Sequence, residues 1–194
     1  MSEHSQRQRW NQRYQGKSPD DQEPAEVLAG HTHLLPRTGR ALDVASGLGG
    51  NAVFLAAHGL DTVAWDISDH AVSALNHFAR SRALPLLAEV RDVEALPPEP
   101  GSFDVITVSR FLHRPLCGQL AAALRPGGVI FYQTFTRAKV QGLGPSDPAY
   151  LLGDGELLAL FSALRPVVYR EERDLGETRA GFRDQALLIA FRPA

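Results

Sequence analysis

Apolar and polar positions alternate in blocks along the chain, and these blocks predict strands and helices in turn. The clearest helix follows Ser68, a suitable N-cap, and carries the apolar stripe Ala71, Val72, Leu75 and Phe78. Strands are predicted over residues 40–45, 61–66, 84–92, 103–109, 129–135, 165–174 and 182–191. Helices are predicted over residues 23–33, 50–59, 68–82, 115–124 and 154–164.

This order predicts an α/β fold with a doubly wound, Rossmann-like, mostly parallel seven-stranded sheet. The connection over residues 93–102 is rich in proline, so this crossover is expected to be irregular and without a helix. Only about ten polar residues separate the last two strands, which is too short for a parallel crossover. The sheet is therefore expected to end in a C-terminal antiparallel hairpin.

Bulk composition predicts one soluble domain over residues 1–194, since 44% apolar and 22% charged residues are ordinary values for a globular chain. We expect an N-terminal lid and helix (1–36), a cofactor-binding core (37–135) and a substrate-side loop, helix and hairpin (136–194). A net charge of −2 gives no bulk attraction to nucleic acid or to a membrane. The single cysteine, Cys117, excludes an internal disulfide and is expected to be a small buried hydrophobe. With no targeting or membrane-spanning pattern, the expected protein is cytoplasmic and acts on a small molecule, as a monomer or a homodimer.

A glycine-rich loop follows the first strand, in the stretch "LDVASGLGGNAVFLA". Residues 47–52 match G-x-G-x-x-G/A, and Asp66 follows Gly47 by 19 positions, which is the dinucleotide fingerprint. A Walker phosphate loop is excluded because no Lys-Ser or Lys-Thr follows the glycines. Asp43 lies inside the buried strand, where an unmatched carboxylate costs several kcal/mol. It therefore favours a ligand that brings an ammonium group.

The pattern Asp43-x-Ala45-x-Gly47-x-Gly49 resembles the first motif of class I S-adenosylmethionine-dependent methyltransferases, D/E-x-G-x-G-x-G, with Ala45 in place of the first glycine. The resemblance implies S-adenosylmethionine as cofactor, S-adenosylhomocysteine as product, and no metal. It implies that one carboxylate accepts from the ribose hydroxyls, another from the adenine amine, and that an arginine pairs with the methionine carboxylate. The cofactor residues it implies are Arg13, Asp43, Ala45, Gly47, Gly49, Asn51, Asp66, Ile67, Asp92, Val93, Ser109 and Arg110.

The start "RWNQRY", the compact size and the "NAVFLAAHG" helix are similar to small methyltransferases of the tellurite-resistance and thiopurine type. This resemblance implies a small acceptor, a soft thiol or chalcogen nucleophile. Trp10 and Tyr14 would then form a lid that excludes water. Basic residues would orient the acceptor, and the candidates for this role are Arg110, Arg137, Arg179 and Arg183.

His113 and Arg110 are the candidate catalytic residues, because both lie just after the fourth strand. A soft anion needs no proton acceptor, whereas an oxygen or nitrogen nucleophile would need a base such as His113 or Tyr132. The segment "SRFLH" stands where amino-methylating nucleic-acid enzymes of this fold carry an Asn/Asp-Pro-Pro-Tyr-like motif, which argues against that branch.

Other interpretations stay open at this point. The loop is also compatible with an NAD(P)-dependent Rossmann reductase, or with a binding domain that holds S-adenosylmethionine without catalysis. Asp43, Asp66 and Asp92 are each compatible with structural roles in turns or caps. Asn51 is equally compatible with a role at the helix start, and His113 with fixing the backbone of its loop.

Overall fold

The computed structural model describes residues 3–194, and Met1 and Ser2 of the expected lid lie outside the described residues. Seven strands form one sheet in the order β3-β2-β1-β4-β5-β7-β6, which confirms the predicted fold. The strands are β1 (Arg40–Val44), β2 (Asp61–Asp66), β3 (Leu86–Val90), β4 (Phe103–Ser109), β5 (Leu124–Phe135), β6 (Arg165–Arg170) and β7 (Gln185–Phe191). The α-helices of the described residues are α1 (Glu3–Tyr14), α2 (Glu26–Ala29), α3 (Gly50–Ala57), α4 (Asp69–Ser81), α5 (Arg114–Ala123) and α6 (Glu156–Leu160).

Neighbouring strands from β3 to β5 are parallel, and β7 runs antiparallel to both β5 and β6. The C-terminal antiparallel hairpin is therefore confirmed. Its connection is longer than the sequence suggested, because β6 ends at Arg170 and β7 begins only at Gln185. The intervening polar residues 171–184 form a loop rather than extending the two strands.

Helices cover both faces of the sheet. On one face α2, α3 and α4 bury residues such as Leu28, Leu55 and Leu75. On the other face α5 and α6 bury residues such as Leu120 and Leu157. Residues 91–102, which connect β3 to β4, form no helix, as the prolines predicted. No helix among residues 3–194 has the length and apolar character needed to cross a membrane.

The N-terminal region differs from the prediction. The expected helix over 23–33 is divided into the short α2 and a 3₁₀ turn at Thr32–Leu34, whereas α1 was not predicted at all. Apart from Trp10 and Tyr14, helix α1 is polar, so hydrophobic periodicity could not reveal it. It docks through Asn11, whose side-chain oxygen accepts from Ser68 Oγ at 2.6 Å and whose amide donates to Asp69.

Candidate functional site

The glycine loop joins β1 to α3 and lies beside the carboxyl end of β2. Gly47, with a φ of +55°, donates its backbone N–H to Asp66 Oδ2 at 2.7 Å, and the N–H of Ser68 donates to Oδ1 at 2.8 Å. Burial raises the pKa of Asp66, while hydrogen bonds from the backbone, including Ile67, oppose that shift. These three backbone donors use about three of the roughly four acceptor positions of the carboxylate, which leaves room for a further hydrogen bond.

Asp43 is almost fully buried at the base of the same loop. Its carboxylate accepts the backbone N–H of Ala52 at 3.1 Å and the side-chain amide of Asn51 at 3.4 Å. Burial raises its pKa to about 7, and these two hydrogen bonds only partly offset the loss of solvation. A cation brought by a ligand would stabilise the ionised form of this group.

Two buried hydroxyl groups near Asp43 have no hydrogen-bond partner among the described residues, namely Ser46 Oγ and Thr107 Oγ1. Ser46 lies in the glycine loop, and Thr107 is the direct neighbour of Asp43 across the β1–β4 pairing. Buried polar atoms normally have a hydrogen-bond partner, so these two hydroxyls indicate that a bound molecule supplies one. Together with the two carboxylates, they suit a ligand that carries amino and hydroxyl groups.

Backbone conformation and close packing explain why glycine or alanine stands at two positions of the loop. Ala45 has a φ of +52°, a left-handed conformation that glycine adopts without strain, and it stands where the family motif has its first glycine. Gly49 has a φ of +83°, and a Cβ there would lie 2.5 Å from Leu75 of α4. Gly49 therefore permits close packing of the loop on α4.

Two predicted cofactor residues, Asn51 and Ser109, are connected to each other. Asn51 Nδ2 donates to Ser109 Oγ at 2.9 Å, and Asn51 Oδ1 accepts the N–H of Ala25 at 2.8 Å. A second buried amide, that of Gln133 on β5, accepts the N–H of Val27 at 2.8 Å. Sequence reasoning missed Gln133, although a glutamine near the end of an otherwise apolar strand was a usable signal.

Helix α1 brings the predicted lid residues to the glycine loop. A Cβ on Gly47 would lie 2.6 Å from the Tyr14 hydroxyl, and Trp10 stacks on Tyr14 with ring centroids 5.7 Å apart. Burial and the nearby charge of Asp66 raise the pKa of Tyr14. Arg13 is exposed, with its guanidinium 5.4 Å from the Trp10 ring centroid, so it lies on the outer side of this stack.

Asp92 and Val93 follow β3, as predicted, and Asp92 Oδ1 accepts the N–H of Glu94 at 3.0 Å. Glu94, which the sequence did not single out, lies 3.4 Å from His113 Nδ1. His113 is thus at the Asp92 side of the site, which the resemblance assigns to adenine.

The four arginines expected near the acceptor divide into two pairs. Arg110 and Arg137 follow the carboxyl ends of the adjacent strands β4 and β5 and are exposed. Arg110 has a φ of +55°, and among residues 3–194 its guanidinium has no hydrogen-bond or ion-pair partner.

Arg179 and Arg183 both lie on the loop that connects β6 to β7. Arg179 is exposed on the β6–β7 loop and pairs with Glu177 at 3.2 Å. Arg183 is buried, and its guanidinium donates hydrogen bonds to backbone carbonyls of the same loop. These carbonyls belong to Glu172, Arg173, Leu175, Glu177 and Ala180. A sequence pattern of basic residues could not distinguish this structural role from substrate binding.

Tyr132 is not available as a base. It is fully buried, and its hydroxyl donates to the carbonyl of Phe111 at 2.9 Å. Burial raises its pKa well above the usual value, so it stays protonated. Cys117 is buried beside it, as expected, and burial raises the pKa of the thiol to about 11. Among the described residues, no group of three or more His, Cys, Asp or Glu side chains is suited to hold a metal ion.

Comparison with known proteins agrees with the resemblance to methyltransferases found in the sequence. Residues 41–128 match a family model described as "Methyltransferase domain". Ubiquinone biosynthesis O-methyltransferase of Coxiella burnetii is 31% identical over 101 residues, which cover 50% of this chain and 43% of that protein. The match thus spans less than half the length of that relative.

Two solved structures show the same fold. TehB from Haemophilus influenzae aligns with a TM-score of 0.70 at 17% identity, covering 94% of this chain and 67% of the other. An S-adenosylmethionine dependent methyltransferase from Mesorhizobium loti aligns with a TM-score of 0.66 at 18% identity, covering 90% of this chain and 100% of the other. The dinucleotide alternative finds no support in these matches. Residues 41–128, slightly less than half of the chain, are therefore similar to a methyltransferase domain, and the fold matches that of solved S-adenosylmethionine-dependent methyltransferases.

Proposed function

We propose that this protein transfers a methyl group from S-adenosylmethionine to a small molecule whose nucleophile is a soft thiol or chalcogen. One observation carries the proposal: two buried carboxylates, Asp43 and Asp66, meet at one glycine loop beside unpartnered buried hydroxyls. S-adenosylmethionine supplies, when bound, a methyl group attached to a positively charged sulfonium. Its amino group and ribose diol match the two carboxylates in chemistry.

The residues proposed to hold the cofactor divide by function. Asp66 accepts from the ribose hydroxyls, with Ile67 beside it, and Asp92 with the Val93 N–H recognises adenine. Asp43 faces the ammonium group of the cofactor. Ser109 is connected to Asp43 because the side-chain amide of Asn51 donates to both residues. Ala45, Gly47 and Gly49 form the backbone against the methionine part, and Arg13 reaches its carboxylate after a movement of α1. That movement is needed because Arg13 is exposed over Trp10.

Trp10 and Tyr14 are proposed as a lid that keeps water from the reacting groups. Only the stretch before Ala25 can serve as a moving part of this lid, because Val27 and Leu28 are fully buried in the core. Arg110 and Arg137 are proposed to orient an anionic acceptor. The left-handed backbone of Arg110 supports such a role, since strained residues collect at functional sites.

The two candidate bases, Tyr132 and His113, are both engaged by other groups in the described part of the chain. Tyr132 stays protonated, and His113 is at the Asp92 side in contact with Glu94. A thiolate or selenolate needs no proton acceptor, so this environment favours a soft nucleophile, as in the tellurite-resistance and thiopurine type. An oxygen acceptor is the second candidate, because the curated relative is named an O-methyltransferase. The pair of His113 and Glu94 would then supply the base.

Calorimetric titration with S-adenosylhomocysteine tests the cofactor assignment, with NADH run in parallel. We expect micromolar binding of S-adenosylhomocysteine, its loss in Asp66→Ala, and no change in Asp61→Ala, a control at the exposed start of the same strand. Binding of NADH instead, or no binding of either ligand, would overturn the proposal.

A panel of small acceptors tests the reaction, with release of S-adenosylhomocysteine as the signal. Faster turnover of a thiol than of its alcohol analogue supports the soft nucleophile. Turnover of the alcohol that rises with pH and disappears in His113→Ala supports the oxygen acceptor. Cofactor binding without turnover of any acceptor would favour the non-catalytic domain.

A further inference from the structure

Two side-chain amides hold the same N-terminal stretch to the carboxyl end of the sheet. Asn51 Oδ1 accepts the N–H of Ala25 at 2.8 Å, and Gln133 Oε1 accepts the N–H of Val27, also at 2.8 Å. Both amides are nearly inaccessible to solvent, at 5% and 6% exposure. The chain is therefore fixed at two points only two residues apart.

The two amides differ in what else they contact. Asn51 Nδ2 donates to Ser109 Oγ at 2.9 Å and reaches Asp43 Oδ1 at 3.4 Å, both groups of the proposed cofactor site. Gln133 Nε2 donates instead to Gln185 on β7 at 2.9 Å. Asn51 thus joins the N-terminal stretch to side chains of the proposed site. The Gln133 side chain joins it only to Gln185, although the Gln133 backbone pairs with Ser109 in the sheet. Gln133 is a natural control for Asn51.

Ala25 marks the point where the chain leaves the core. Downstream of it, Val27 and Leu28 are fully buried. Upstream, the chain rests on the glycine loop: a Cβ on Gly50 would lie 2.6 Å from the carbonyl oxygen of Glu23, and Tyr14 lies against Gly47. Any movement of α1 and the following turn therefore pivots near the hydrogen bond between Ala25 and Asn51.

A side-chain amide has a donor and an acceptor in one rigid plane, so its two ends cannot reorient independently. If Asp43 or Ser109 changes its partners, Nδ2 of Asn51 must follow, and Oδ1 then moves relative to Ala25. We infer that Asn51 is a positioning residue that couples Asp43 and Ser109 to the N-terminal stretch, so that cofactor binding and the seating of α1 on the glycine loop stabilise each other. This inference rests on the proposed function, and the coupling is reciprocal by thermodynamic necessity.

Hydrogen exchange over residues 15–30, measured with and without S-adenosylhomocysteine, tests the coupling together with calorimetric affinities. In the wild type, S-adenosylhomocysteine should slow exchange in this stretch. Gln133→Ala should speed exchange without ligand, yet keep the ligand-dependent slowing and an affinity within about twofold of the wild type. Asn51→Ala should speed exchange similarly, lose most of the ligand-dependent slowing and bind about tenfold more weakly, a typical size for coupling between sites.

Asn51→Asp separates the two ends of the amide. A carboxylate still accepts from Ala25 N–H, but it has no N–H to donate to Asp43, and it repels the ionised form of Asp43, so the experiment is run at about pH 8 where that form dominates, since the pKa of Asp43 is raised to about 7. Exchange without ligand should stay close to that of the wild type, while the ligand-dependent slowing is lost. This variant also keeps the test decisive if Asn51→Ala fails to fold.

The outcomes distinguish the inference from the proposed function. Wild-type binding of S-adenosylhomocysteine without any slowing of exchange over residues 15–30 would overturn the coupling and leave the methyltransferase proposal intact. Equal losses of affinity for S-adenosylhomocysteine in Asn51→Ala and Gln133→Ala would also overturn it. Both substitutions would then act only by weakening the attachment of the N-terminal stretch to the sheet. No binding to the wild type would defeat the proposed function itself.

Discussion

The hydroxyl of Tyr14 lies against the backbone of Gly47, at the left-handed turn of the glycine loop. A Cβ on Gly47 would be only 2.6 Å from that hydroxyl. Tyr14 belongs to a polar helix that no hydrophobic pattern predicts, and Gly47 belongs to the most recognisable motif of the chain. The contact therefore connects the proposed lid to the proposed cofactor site.

Gly47→Ala should destabilise the protein for two reasons that a double-mutant cycle separates. The left-handed φ costs an alanine about 1–2 kcal/mol, and the clash with Tyr14 adds to this cost. In a Tyr14→Ala background only the backbone cost should remain. Gly101→Ala is the matched control, because Gly101 has a φ of +64° and open space around it. Equal losses for Gly47→Ala in the two backgrounds, measured by urea unfolding, would contradict the close contact.

Ala45→Gly should stabilise the protein by about 1 kcal/mol, because glycine adopts the observed φ of +52° without steric strain. The gain is reduced by the greater freedom of glycine in the unfolded chain. Ala83→Gly is the control, since Ala83 has a similar φ of +50° at the end of α4, away from the loop. Thermal unfolding measures both variants. A loss of stability in Ala45→Gly would show that the alanine methyl contributes packing that outweighs the strain.

The stability difference between Asp43→Asn and the wild type should depend on pH. Burial raises the pKa of Asp43 to about 7 in the folded protein, above its value of about 3.9 in an unfolded chain. The folded state therefore binds this proton more tightly, so the contribution of Asp43 is fully present below the unfolded pKa and is lost as pH rises through the folded one.

Between pH 4 and 8 the wild type should thus lose on the order of 4 kcal/mol relative to Asp43→Asn, whose side chain does not ionise, since a shift of about three pKa units corresponds to this free energy. Urea unfolding of both proteins across this range measures the difference. The wild type should recover stability at pH 8 when S-adenosylhomocysteine is added, since its ammonium group is proposed to face Asp43. A difference that stays constant with pH would contradict the raised pKa.

Arg183→Ala should destabilise the protein by about 2–3 kcal/mol, because it leaves several carbonyls of the β6–β7 loop without their buried donor. Arg179→Ala should change the free energy of unfolding by less than about 0.5 kcal/mol, since that side chain is exposed and paired only with Glu177. Neither variant should change acceptor specificity. A change of acceptor preference in Arg183→Ala without a loss of stability would restore its predicted substrate role.

Several parts of the candidate site could be predicted because their signals are local. The spacing of Asp43, Gly47 and Asp66 follows from strand ends and a turn, and the structure brings these groups together through the bond between Gly47 N–H and Asp66. The role of Arg183 could not be predicted in this way. A basic residue near a strand has the same local signature whether it faces a ligand or holds a loop.

The sequence by itself determined the sheet, its C-terminal hairpin and the glycine loop, because hydrophobic periodicity and turn residues act over a few positions. Tertiary structure alone decided where α1 docks, what Asn51 and Gln133 hold, and why Tyr132 is unavailable as a base. The contacts of Asn51 with Ala25 and of Gln133 with Val27 join residues 26 and 106 positions apart. Single polar contacts between distant segments leave no periodic pattern, so they become visible only when the folded chain brings those segments together.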